Sequence, residues 1–100
     1  MEQVTLRILG KTYRIEYVEA DVLQQLGVDG ACMSNGRILI ADNLNDEDRR
    51  ETVIHEILHA VWKEMDIGYS DRTEEKCVTA LGKGLAAIIA DNAHAQELFR

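Results

Sequence analysis

The hydrophobic period of this 100-residue chain is mostly two residues in its first half and helical in its second, and that change dictates which elements it can build. In "QVTLRIL", Val4, Leu6 and Ile8 alternate with Thr5 and Arg7; in "TYRIEYV", Tyr13, Ile15 and Tyr17 alternate with Arg14 and Glu16. With Gly10-Lys11 between them as a turn, the two runs predict an antiparallel hairpin. "EADVLQQLG" is long enough for two helical turns stopped by Gly27. A turn at Asn35-Gly36 then introduces the β-rich run "RILIA", a third strand with a brief fourth beside it. From Asn45 or Asp46 onward the pattern is helical through Val53, Ile54, Ile57, Leu58, Val61, Trp62 and Met65, stopping near Gly68. Ser70 or Asp71 caps a second helix carrying Cys77, Val78, Leu81, Leu85, Ile88 and Ile89. The expected fold is α+β: a small antiparallel sheet of three or four strands followed by two packed long helices, in a single domain over residues 1–100.

With 46% hydrophobic residues, such a chain can bury one modest core. Eleven Lys and Arg against eighteen Asp and Glu leave a net charge of -7, which opposes binding to phosphate backbones and anionic membranes. Neither nucleic acid nor a membrane is an expected partner. The opening "MEQVTLRILGKTYRIEYV" has no cationic segment leading into a long apolar run, and no window approaches the roughly 18 apolar residues that span a bilayer. A cytoplasmic protein is expected, with Cys32 and Cys77 reduced and packed, since neither belongs to a C-x-x-C pair.

The chemistry concentrates in "TVIHEILHAVW". At about 100° per residue, His55 and His59 project only about 40° apart and one turn apart, so both rings reach one point. Glu56 projects about 100° from His55, close enough to touch what the histidines bind but badly placed to bind it with them. The pattern H-E-x-x-H has this geometry because two imidazoles must hold a metal while a carboxylate takes the proton of a water beside it. Ile54, Leu58, Val61 and Met65 form the stripe expected to face the core. A zinc ion held by two histidines needs a third protein ligand if its fourth position holds water. Averaging the directions of Cys77, Val78, Leu81, Leu85 and Ile88 puts Glu74 near the centre of the second helix's inward face, with Glu75 about 100° away. Glu74 is the expected ligand and Glu75 the next choice; both also suit a helix's first turn without any metal.

"HEILHAVW" followed by "EEKCVTALGKGLAAIIADN" resembles the gluzincin-type small zinc metallopeptidases, in particular ImmA/IrrE-like and phage-encoded short metallopeptidases, over about the last 60 residues. The resemblance implies a zincin-like fold, in which a short sheet precedes the H-E-x-x-H helix and a glutamate of the following helix completes the zinc site. Carried over, it makes His55, His59 and Glu74 the zinc ligands and Glu56 the general base. It implies hydrolysis of a peptide bond in a peptide or protein substrate, such as a repressor-type protein. A catalytically idle zinc-binding regulatory module is the alternative, because Glu56 is not needed to hold zinc. The "RILIA" strand is expected to offer an open edge to an extended peptide. Tyr69 and His94 are the available donors to a developing oxyanion, each with an ordinary structural reading as well. Trp62 is expected to pack at the edge of the core near the cleft.

Overall fold

The computed structural model describes residues 3–94 and 97. Strand β1 (Val4–Ile8) pairs antiparallel with β2 (Lys11–Val18), with Ile8 opposite Lys11. That register makes Leu9-Gly10 the two-residue turn, one position earlier than expected. Both residues have positive φ, 51° and 87°, as the right-handed twist of a tight hairpin demands. Glycine adopts this backbone freely, whereas Leu9 does so while 60% exposed, with little burial to offset it.

After β2 the chain forms α1 (Ala20–Gln24), β3 (Gly30–Cys32) and β4 (Arg37–Ala41), with Gly36 at φ 83° closing the turn between the last two strands. The sheet order is β1-β2-β4-β3, and β4 runs parallel to β2 but antiparallel to β3. The sheet is therefore mixed rather than antiparallel. α1 carries the chain past the neighbouring position, and the β3–β4 hairpin then folds back to insert β4 against β2. Arg37 on β4 donates from Nε and Nη2 to the two carboxylate oxygens of Glu16 on β2, at 2.6 and 3.0 Å. That contact holds the Glu16 carboxyl below its ordinary range.

"RILIA" is thus paired on both sides and offers no edge; the outer strand on its side of the sheet is β3. The reason is visible in its composition. Ile38 and Ile40 enter the main core with Ile8, Tyr13, Ile15 and Ala60, whereas Leu39 and Ala41 pack with Leu23 on the opposite face. A continuous apolar run is what a strand covered on both faces requires, and an exposed edge strand does not.

Helix α2 (Asp46–Glu64) begins at Asn45, whose side chain accepts the Asp48 N–H at 2.7 Å. It packs on the sheet through Val53, Ile57, Ala60 and Val61. The buried Tyr13 hydroxyl donates to Glu64 at 2.6 Å and ties β2 to the helix end. This corrects the expected stripe: Met65 is 57% exposed, and every residue from 51 to 62 is buried or half-buried. Apolar positions occupy two sides because the sheet covers one and α3 (Asp71–Asp91) covers another. Among the described residues no helix is long and apolar enough to cross a membrane.

The turn yields a prediction. Replacing Leu9 with Asn, which tolerates positive φ, should raise unfolding free energy by about 1 kcal/mol in urea titration; an unchanged or lower midpoint would count against this turn.

Candidate metal centre

The site forms where α3 returns along α2. Ser70 caps α3 by accepting the Thr73 N–H at 3.3 Å, so Glu74 and Glu75 fall in the helix's first turns. His55 and His59 stand one turn apart on α2, ring centroids 4.9 Å apart, inclined at 68°, with their Nε2 atoms 3.2 Å from each other. Glu75 spans both: Oε1 lies 3.0 Å from His55 Nε2 and Oε2 lies 2.9 Å from His59 Nε2. Glu74 meets the other nitrogen, its Oε2 2.5 Å from His59 Nδ1.

The carboxylate facing both histidines is therefore Glu75, and Glu74, expected there, stands behind His59. The physical reason lies in which face of α3 packs. Its buried residues are Val78, Gly82 and Ala86, whereas Leu81, Leu85 and Ile88 are 56%, 41% and 55% exposed. On a helical projection of about 100° per residue, the direction averaged over Val78, Gly82 and Ala86 lies about 20° from Glu75 and about 80° from Glu74. Size misled the sequence reading: the large residues point outward and the small ones make the contact. A Cβ on Gly82 would sit 3.6 Å from His55 Cα, an ordinary van der Waals contact, so the two helices pass with room for about one methyl group between them.

These contacts define the donor set. In the tautomer whose Nδ1–H donates to Glu74, His59 presents the lone pair of Nε2 to Glu75 and His55. One atom each from His55, His59 and Glu75 forms a group lying mutually within 4.8 Å. Lone pairs converging in this way repel unless a proton or a cation stands among them. Zinc bonds of about 2.0–2.1 Å in a tetrahedron separate donor atoms by about 3.3 Å. The 3.2 Å between the two Nε2 atoms is close to that edge, as is the 3.0 Å from His55 Nε2 to Glu75 Oε1, while the other Glu75 oxygen lies 2.9 Å from His59 Nε2; two imidazoles with a carboxylate are a donor set that zinc takes.

Glu56 lies at the base of this group. Only 6% exposed, it has no hydrogen-bond partner among the described residues, and burial pushes its carboxyl up to about 7 against the opposing influence of His59. The carboxylate borders two clefts that share it and His59. One, of about 500 Å³, runs toward Cys32, Trp62 and Tyr69; the other, of about 330 Å³, runs toward Asp29, Glu51 and Thr52. Gly30 on β3 makes this burial sterically feasible. A Cβ there would lie 2.8 Å from Thr52 Cγ2, 3.1 Å from Glu56 Cγ and 3.1 Å from the Leu39 carbonyl oxygen.

No family model, curated protein or solved structure matches the chain. Tyr69 lines the larger cleft at 78% exposure, and His94 is exposed beyond the end of α3. Trp62 is half-buried at the cleft, its indole N–H donating to the Gly68 carbonyl at 3.0 Å. Sequence reasoning missed Gly30 and Gly82, although the small residues Gly82 and Ala86, four apart, were a signal of close helix approach.

Two outcomes follow for the metal-free protein. Glu56, its carboxyl raised from 4.5 to about 7, contributes stability that is fully present below pH 4.5 and lost as pH rises through about 7. Glu56→Gln should therefore stabilise the metal-free protein at pH 8 by about 3 kcal/mol relative to wild type, with the gain vanishing near pH 4.5. Equal denaturation midpoints at pH 8 would show that Glu56 is not desolvated. Gly30→Ala should cost about 1–3 kcal/mol in the same assay through overpacking. An unaffected variant would contradict the close approach of β3 to α2.

Proposed function

We propose that the chain is a zinc-dependent metallopeptidase in which His55, His59 and Glu75 hold the metal and Glu56 is the general base. The observation that carries this reading is the convergence of three lone-pair donors beside a buried, unpartnered carboxylate that opens on two clefts. A structural cluster has no need of a carboxylate held largely out of water with no hydrogen-bond partner among the described residues and open only to the clefts.

Glu74 is a positioning residue here. By accepting from His59 Nδ1 it selects the tautomer whose Nε2 lone pair faces the ligand group and fixes the plane of the ring. When bound, zinc supplies a Lewis acid that polarises a carbonyl and makes a neighbouring water more acidic. Glu56 takes the water's proton and returns it to the leaving amine, a task suited to a carboxyl poised near 7. Gly30 and Cys32 on the edge strand β3 border the two clefts, so an extended substrate adds to β3. The zincin-like arrangement and the likeness to gluzincin-type, ImmA/IrrE-like peptidases belong to the same proposal. Their support is the H-E-x-x-H helix and a glutamate brought to it by the next helix. A repressor-type protein is the substrate this likeness suggests.

Elemental mass spectrometry and a degenerate peptide library test the reading together. About one zinc per chain is expected in wild type and in Glu56→Gln, with peptide cleavage reduced by a factor of about 10²–10⁴ or more in the variant. Zinc should be lost in Glu75→Ala, whereas Glu74→Ala should bind it about 10–100-fold more weakly. Zinc retained by Glu75→Ala but lost by Glu74→Ala would restore Glu74 as the ligand. Stoichiometric zinc with no cleavage by wild type would assign the idle zinc-binding module instead.

A further inference from the structure

The two clefts that meet at Glu56 differ in chemistry. The larger is walled by the loop joining α2 to α3, where Asp66, Gly68 and Tyr69 have φ values of 52°, 81° and 74°. An aromatic residue rarely takes a left-handed backbone, and Tyr69 does so while 78% exposed, with Ile67 beside it 41% exposed. Hydrogen bonds hold the loop in that shape: the Trp62 indole donates to the Gly68 carbonyl at 3.0 Å, and the Ile67 N–H donates to the Trp62 carbonyl at 3.3 Å. Strain retained without burial, at the rim of a candidate site, indicates that the exposed apolar surface has a use.

The smaller cleft is acidic. Asp29 and Glu51 line it, no lysine or arginine does, and neither carboxylate has an ion-pair partner among the described residues. Glu75, also there, is committed to the histidines. An independent observation points to a ligand: the Glu56 side chain, 6% exposed and without a hydrogen-bond partner among the described residues, opens on both clefts. In an extended peptide successive side chains project to opposite sides, as two clefts flanking one carboxylate require.

We propose that the site accepts an extended peptide with a bulky apolar or aromatic side chain against Trp62 and Tyr69 and an adjacent lysine or arginine side chain between Asp29 and Glu51. This deepens the hydrolytic reading and rests on it for the placement of the peptide at Glu56. Electrostatic attraction into the acidic cleft and desolvation of an aromatic ring in the other select the same two-residue signature.

Trp62 is the single tryptophan of the chain, so its fluorescence reports the larger cleft directly. The experiment titrates zinc-supplemented Glu56→Gln protein with acetyl-Ala-Phe-Lys-Ala-amide, its Lys-Phe isomer, and versions with Ala for Phe or Glu for Lys. At least one Phe/Lys order should bind about tenfold or more tightly than either substituted version. Tyr69→Gly, which eases the backbone, should shrink the preference for Phe, and Glu51→Lys or Asp29→Lys should shrink or invert the preference for Lys over Glu. Equal affinity for all peptides, or none measurable, overturns the proposal. The zinc-loaded wild type separates the two readings: cutting every peptide alike overturns this specificity and keeps hydrolysis. The expected preference without cutting supports the peptide site and removes hydrolysis.

Discussion

The close passage of α3 over the His55 backbone at Gly82 is the constraint on which the site depends. A methyl group at position 82 would just touch the His55 backbone, whereas a bulkier side chain would press α3 away from α2 and draw the glutamates off the imidazoles. With the helices this close, Glu75, two turns before Gly82 along α3, reaches back to both His59 and His55 on α2. Its two oxygens then face the two Nε2 atoms, and Glu74 reaches the far side of the His59 ring.

A second glycine acts on another side of the same turn. Gly30 lets β3 approach Thr52 and Glu56 where any Cβ would collide, and so confines the Glu56 carboxylate to the mouths of two clefts. The turn carrying His55 and Glu56 is thus held between the sheet and α3 through two positions that offer no side chain. Such packing orients the imidazoles and desolvates the carboxylate with the same contacts, so geometry and acidity are set together. The strained loop at residues 66–69 extends this economy to the rim, held by the indole of the half-buried Trp62.

Much of the molecule was legible in its residues. Alternation in "QVTLRIL" and "TYRIEYV" announced the first hairpin, Asn35-Gly36 its successor, and Asn45 and Ser70 the two helix starts. The spacing of His55 and His59 announced that their rings would meet. The order and direction of strands were not legible, because alternation fixes which face a residue takes and says nothing of which neighbour it pairs with. For "RILIA" the unbroken apolar run did hold the information that both faces would be covered, and hence that it was no edge.

What the sequence determined by itself is local: where elements begin and end, and that an imidazole pair with an adjacent carboxylate occupies one helix. These follow from period, capping and the fixed rotation per residue, which act within a few positions of the chain. Only the tertiary structure decided that Glu75 rather than Glu74 faces both histidines, that β3 rather than β4 is the open strand, and that Glu56 is desolvated. Each of these depends on how closely two elements approach: Gly30 permits the approach of β3 by lacking a side chain, and the small Gly82 suits the passage of α3 over His55, properties with meaning only against a partner distant in sequence.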